Sequence, residues 1–293
     1  MDQTRRNLCR LILATPLILP MRSAPAGTEP ELDAIERRIG GRLGVAAGSA
    51  GRVLVSYRAG ERFPMCSTFK VLAVAAILAR VEAKSESLDR TLSYGPDDLL
   101  SYAPVTRKAL EARGGTGRLS IGALCAAAIE WSDNTAVNLL LTRLDGPAGL
   151  TAWLRGIGDS VTRLDRNEPT LNSAIPGDPR DTTSPEAMRA SLDRILLGTV
   201  LSPGSRDQLK GWMVGSQTGL KRLRAGLPKD WTVGDKTGTG TNGSINDVAI
   251  LWATGHAPVT AAVYITGSTA PTETVEAAHA EIGRLIAARV TGA

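Results

Sequence analysis

Residues 67–81 read Ser-Thr-Phe-Lys-Val-Leu-Ala-Val-Ala-Ala-Ile-Leu-Ala-Arg-Val. After Lys70 the run is apolar on every face for nine residues. It is too long for a strand, and a helix that is apolar all round belongs inside a core. A lysine opening such a helix costs free energy unless something nearby uses its charge. Ser67 and Lys70 are one helical turn apart, so amine and hydroxyl share a face. An amine whose pKa is lowered by burial can activate a serine hydroxyl as a nucleophile. Ser67 also sits where the helix begins, and free N–H groups there favour negative charge. A Ser-x-x-Lys spacing alone is unspecific; its place in this helix gives it weight.

Outward from this helix the pattern is mixed. Residues 31–43 have helical spacing, with Leu32, Ile35, Ile39 and Leu43 as the apolar stripe. Residues 44–50 and 52–58 read as two short strands around Gly51. Residues 120–131 and 135–144 read as two further helices. Ser184 fits the N-cap, and Pro185 the first position, of another. From Trp231 strands return, over 231–236, 245–254 and 259–266, before an amphipathic helix over 273–290. Close strand succession with tight turns predicts an antiparallel sheet. The expected class is α+β: an antiparallel sheet flanked by N- and C-terminal helices, with an inserted all-helical domain and the site between them. The expected division is 1–26 as leader, 27–60 with 215–293 as the sheet domain, and 61–214 as the helical domain. Residues 163–181 lack periodicity, and so long an irregular stretch in a compact domain is usually functional or disordered.

Bulk properties exclude several classes. The chain has 293 residues, 43% hydrophobic and 22% charged, which is ordinary globular composition. Its net charge is +5, of which Arg5, Arg6, Arg10 and Arg22 against Asp2 place +3 in the first 26 residues. The remaining +2 gives no support to nucleic-acid binding. Those arginines precede a short apolar stretch over 11–20 and the small residues Ala24 and Ala26, the pattern of an export signal. Residues 4–10 also resemble a twin-arginine address, with Sec export the alternative. The apolar stretch is too short for a stable membrane anchor. Cys66 and Cys125 remain after the leader; they read as two buried free thiols, with a pair the alternative.

Two more motifs carry chemistry. Ser132-Asp133-Asn134 falls in the break between two helices. Ser132 can pass a proton to a leaving nitrogen there, and Asn134 offers a carbonyl and an amide to a ligand. Asp133 fits a helix cap. Lys236-Thr237-Gly238 lies near the end of an expected strand, followed by Thr239. An edge strand can pair with an extended ligand, while Lys236 and the threonine hydroxyls suit a carboxylate. Gly238 leaves room for close backbone approach. Gly238-x-Gly240-x-x-Gly243 matches a dinucleotide fingerprint, but a strand follows it, so it reads as a hairpin turn. His256 and His279 are the chain's two histidines, too few for a zinc cluster and poorly placed for a Ser-His-Asp triad.

Together, Ser67-x-x-Lys70, Ser132-Asp133-Asn134 and Lys236-Thr237-Gly238 make the chain resemble class A serine β-lactamases over nearly its whole mature length. Glu168-Pro169-Thr170-Leu171-Asn172 looks like that family's omega-loop motif, within an omega loop over 166–181. The resemblance implies hydrolysis of penicillins and cephalosporins through a Ser67 acyl-enzyme, and hence antibiotic resistance. Glu168 and Asn172 would direct the deacylating water, and Lys70 or Glu168 would be the base for acylation. Tyr102 would stand at the rim, and the N–H groups of Ser67 and Thr239 would form an oxyanion hole. Arg166 and Asp181 match the ion pair that closes the loop.

Departures from the pattern are equally informative. Where many members carry an arginine, this chain has Ile245, and Arg222 fits the alternative position for holding a carboxylate, with Arg224 as its structural neighbour. Val74 and Gly240 stand where some members place cysteines that pair with those matching Cys125 and Cys66. The absence of the second pair weighs against a carbapenem-hydrolysing branch. The resemblance implies an exported monomer, periplasmic or extracellular, acting on a small-molecule β-lactam without metal or organic cofactor. The rivals are a cell-wall peptidase, which would lack the Glu168 to Asn172 element, and a penicillin-recognising sensor that acylates without turnover.

Overall fold

The computed structural model describes residues 29–49 and 51–292. The expected leader, Cys9 within it, and Ala50 lie outside those residues. Five antiparallel strands form one sheet, in the order Arg52–Tyr57, Arg42–Ser49, Val259–Thr266, Ser244–Trp252, Thr232–Gly240. The strand carrying Lys236 is therefore an edge. Asn242 and Gly243 take positive φ at the hairpin joining it to Ser244–Trp252, so the glycine-rich stretch is a turn, as its following strand implied.

Both faces of the sheet are covered, and period-2 alternation sorts the side chains. On one face Ile245, Ala249, Leu251, Val263 and Ile265 pack against helix Pro30–Ile39 and the C-terminal helix Thr272–Thr291. On the other, Val248, Ile250, Ala262 and Tyr264 join the core of the helical block. That core runs without a break from helices to sheet. Its centre is helix Phe69–Glu82, in which residues 69–78 are all buried. Helices Ile121–Glu130, Asn134–Thr142, Gly146–Gly156 and Pro203–Val214 surround it. Among the described residues no helix is long and apolar enough to cross a membrane.

Local chemistry sets the boundaries. The first helix ends at Ile39 rather than at Leu43, because Gly40 and Gly41 both take positive φ and stop it. Leu43 is buried from a strand instead. Ser184 accepts from the Ala187 N–H at 3.1 Å with Pro185 at the first helical position, as expected. Helices Pro104–Glu111 and Gly146–Gly156 had no counterpart in the sequence reading. Asp133 caps Asn134–Thr142 through the Ala136 N–H at 2.8 Å. The same carboxylate accepts from the Val105 and Thr106 N–H groups at 3.0 and 2.9 Å and from Thr106 Oγ1. It thus ties the starts of helices Pro104–Glu111 and Asn134–Thr142 into one corner.

These caps differ in burial and in the number of donors served. Ser184→Ala is expected to cost about 1 kcal/mol in urea unfolding. Asp133→Ala strands several buried donors and is expected to cost about 2–4 kcal/mol. Equal losses would show that the Asp133 corner carries no more than a simple cap.

Candidate active site

The helix bearing Lys70 begins with a tight turn, Cys66–Thr68, which holds Ser67, before Phe69–Glu82. Cys66 has φ 47°, a left-handed conformation that costs a non-glycine residue about 1–3 kcal/mol and recurs at functional sites. Ser132 repeats this with φ 57° in the break between helices. Both serines face one cavity of about 360 Å³. Tyr102, Asn134, Asn172, Arg222, Thr237 and Thr239, each named above from the motifs or the resemblance, also line it. Thr218 lines it too, with its hydroxyl 2.7 Å from that of Thr237; no sequence signal pointed there. The volume suits a small organic ligand. Tyr102 is half exposed, in keeping with a rim position.

Beneath the cavity lie three buried charged side chains. Lys70 is wholly buried and donates to Ser132 O at 2.7 Å, Asn134 Oδ1 at 2.6 Å and Ser132 Oγ at 3.3 Å. Its Nζ is 3.1 Å from Glu168 Oε1. Lys236, also wholly buried, donates to Ser132 Oγ at 3.0 Å and to Thr237 O at 2.8 Å. Burial lowers the Lys70 pKa, against the raising effect of Glu168. Burial lowers that of Lys236 further, helped by the Lys70 charge. Ser67 Oγ donates to Glu168 Oε1 at 3.0 Å, and Asn172 Nδ2 donates to Glu168 Oε2 at 2.5 Å. Helical spacing suggested contact between Ser67 and Lys70; the structure instead gives the Ser67 hydroxyl to Glu168, which the irregular segment delivers between them.

That segment is pinned at both ends. Asp181 accepts from the Asp165 and Arg166 N–H groups at 2.7 and 2.9 Å and from Arg166 Nε at 2.5 Å. The expected Arg166–Asp181 ion pair is present. Asn138 clamps the Glu168 backbone, donating to its carbonyl at 2.8 Å and accepting from its N–H at 3.0 Å. Asn138 had no place in the sequence reading, although it lies one helical turn beyond Asn134 on the same face. The Asn172 carbonyl accepts the Thr241 N–H at 2.9 Å, fastening the segment to the edge hairpin.

Gly238 serves a different neighbour from the one its motif suggested. A Cβ there would lie 2.7 Å from Met65 O and 3.1 Å from Thr68 Cγ2. The room it leaves is taken by the protein's own turn under Ser67. Lys236 likewise lies below the cavity rather than in its lining. Arg222 is buried, with Nη1 donating to Gly238 O at 3.0 Å and Asn246 O at 2.7 Å, and Nη2 to Thr239 Oγ1 at 2.7 Å. Arg224 pairs with Asp235, a structural contact. Cys66 and Cys125 are free and buried, and burial lifts the Cys66 thiol to about 12. A Cβ on Gly240 would lie 2.6 Å from Cys66 Sγ, so the two positions do face each other. Among the described residues no group of three or more His, Cys, Asp or Glu is arranged to hold a metal ion.

A sequence model described as the beta-lactamase enzyme family matches residues 28–290. The chain belongs to that family. Beta-lactamase Toho-1 of Escherichia coli is 44% identical over 266 residues, covering 89% of this chain and 90% of that protein. The carbapenem-hydrolyzing beta-lactamase KPC of Klebsiella oxytoca is 45% identical over 283 residues, covering 94% and 95%. Among solved structures, an ancestral class A beta-lactamase superposes with a TM-score of 0.84 at 56% identity, covering 88% of this chain and 97% of that one. A putative class A beta-lactamase from Rhodopseudomonas palustris gives 0.83 at 51%, covering 87% and 96%.

Asp181 joins the two ends of the segment over 165–181 through the Asp165 and Arg166 N–H groups and the Arg166 side chain. Asp181→Ala is expected to speed amide hydrogen exchange over residues 165–181 by about tenfold or more, equivalent to about 1.4 kcal/mol of local stability. Exchange in the Phe69–Glu82 helix should stay unchanged. Unaltered exchange over 165–181 would show that the segment is held elsewhere.

Proposed function

We propose that this β-lactamase hydrolyses the lactam amide of penicillins and cephalosporins through a Ser67 acyl-enzyme, conferring resistance to these antibiotics. Ser67 Oγ attacks the lactam carbonyl as its proton passes to a buried base. The direct 3.0 Å bond from Ser67 Oγ to Glu168 Oε1 favours Glu168 as the first acceptor, with the Lys70 ammonium 3.1 Å from the same oxygen to balance its charge. The Ser67 and Thr239 N–H groups hold the oxyanion; removing one such donor typically costs about 3–4 kcal/mol. As the C–N bond breaks, the Ser132 hydroxyl gives its proton to the lactam nitrogen. It is resupplied from Lys70 or Lys236, both within hydrogen-bond reach of its oxygen.

Before deacylation the proton on Glu168 returns to the lysine that resupplied Ser132, directly across the 3.1 Å contact where that is Lys70 and onward through Ser132 Oγ where it is Lys236. A water then adds to the ester carbonyl while the ionised Glu168, oriented by Asn172, takes its proton, and that proton passes to Ser67 Oγ as it leaves. General-base catalysis of this kind contributes roughly 10²–10⁴-fold. Asn134 and Tyr102 bind the substrate's side chain. Arg222, Thr237 and Thr239 bind its carboxylate, with Lys236 adding positive charge from below. The leader pattern supports export, to the periplasm or beyond, and the enzyme acts there as a monomer.

The observation that carries this reading is the placement of Glu168 against both Ser67 Oγ and Lys70 Nζ. Glu168→Ala with a chromogenic cephalosporin is expected to accumulate a covalent adduct on Ser67, visible by intact mass, while steady turnover falls by about 10²-fold or more. Ser67→Ala should form no adduct. Unchanged turnover in Glu168→Ala would remove its role. An adduct that never turns over in the native enzyme would leave a penicillin sensor or peptidase.

A further inference from the structure

Residues 216–222 run beside the edge strand Thr232–Gly240 and meet it through side chains. Ser216 Oγ donates to Asp235 Oδ2 at 3.0 Å, Thr218 Oγ1 lies 2.7 Å from Thr237 Oγ1, and Arg222 Nη2 donates to Thr239 Oγ1 at 2.7 Å. Asp235, Thr237 and Thr239 are alternate residues of the strand, so one face carries all three. The approach is close: a Cβ on Gly219 would fall 1.7 Å from Asp235 Oδ2. Two of these contacts have a fixed direction, because a guanidinium only donates and an ionised carboxylate only accepts. The middle one joins two hydroxyls, either of which can donate.

The two hydroxyls of that middle contact hold two protons, and the bond between them uses one. Both threonines line the cavity, so the second proton is available to a ligand there. Thr239 shows the useful arrangement. Its oxygen accepts from Arg222, and its own proton stays free. Thr237 gains the same state only if Thr218 is the donor. The opposite direction would turn Thr237 lone pairs toward an anionic ligand, which repels them. Donation into Thr237 also polarises its O–H bond and strengthens the next hydrogen bond in the chain.

We propose that Thr218 is a positioning residue for Thr237: its hydroxyl donates to Thr237 Oγ1 and leaves the Thr237 proton for the substrate's carboxylate. The edge strand then presents two hydroxyl protons, from Thr237 and Thr239, each backed by a donor on the 216–222 segment. Two such protons suit the two oxygens of a carboxylate and favour it over a neutral ester at the same place. This consequence rests on the reading of Thr237 as a partner of the substrate carboxylate.

Kinetics with benzylpenicillin and its methyl ester test the proposal. Thr218→Val removes the hydroxyl at nearly the same shape and is expected to raise KM for benzylpenicillin about fivefold, with kcat within about twofold. Thr218→Ser, which keeps the hydroxyl, should stay within about twofold of the native KM. With the methyl ester, Thr218→Val should leave KM unchanged. In a Thr237→Val background, adding Thr218→Val should change KM for benzylpenicillin by less than about twofold, because the group it acts through is gone. Independent, multiplying losses in the double variant would overturn the proposal, as would an equal loss with the ester, an unchanged KM in Thr218→Val, or equal losses in the Val and Ser variants. Thr237→Val alone separates the two claims: an unchanged KM there refutes the carboxylate reading. Neutron diffraction from deuterated native crystals then still decides the bond. The Thr218 deuteron is expected on the line to Thr237 Oγ1, with the Thr237 deuteron turned to the cavity, and the reverse order would overturn the proposal.

Discussion

Two lysine ammonium groups with no access to solvent converge on one serine hydroxyl, and much of the site's architecture serves to make that tolerable. Moving an ammonium out of water costs several kcal/mol unless oxygen ligands replace the lost hydration. Lys70 is given four such oxygens, from Ser132, Asn134 and Glu168. Lys236 is given two, from Ser132 and Thr237. Ser132 reaches both through its left-handed backbone, with its carbonyl and hydroxyl both directed at Lys70. The helix break at 132–134, the edge strand and the irregular segment bearing Glu168 thus meet because the two amines require them.

Rigidity around this hub comes from groups that do not touch the cavity. Asp133 binds the corner behind Ser132. Asn138 and Asp181 hold the Glu168 segment at its middle and its stem. Gly238 lets the edge strand lie against the turn under Ser67, so that Lys236 and Lys70 approach the same serine from two elements. Behind the edge strand, Asp235 and Asp247 are buried carboxylates whose pKa burial raises. They lie close enough to Arg222 to favour its positive charge against its own desolvation. Charge in this region is therefore shared across layers and is not the property of single residues.

How much of this was legible in the sequence follows from which constraints are local. Lys70 in an apolar helix, Ser184-Pro185 at a helix start and the Asn242-Gly243 turn each declare themselves within a few residues. The α+β order of elements followed from the same local signals. The expected end of the first helix at Leu43 failed because an apolar residue fits a helix stripe or a strand equally well, and Gly40-Gly41 settles the matter. Thr218 could not be foreseen, since only the tertiary fold brings it to Thr237. The Ser67–Glu168 bond was equally hidden: 101 positions separate its ends, and the helical spacing favoured Lys70 as the nearer partner. The boundary drawn between helical and sheet regions marks a change of secondary structure, but Val248, Ile250 and Tyr264 carry the helical core into the sheet.

Burial lowers the pKa of both lysines below the ordinary range while they face Ser132. Titrating the ε-carbons of Lys70 and Lys236 by ¹³C NMR in the mature enzyme tests it directly. Both are expected to lose their protons below 10.5, with Lys236 well below it. Two ordinary titrations near 10.5 would contradict it, because solvated ammonium groups could not be the buried pair that the proposed proton transfers require.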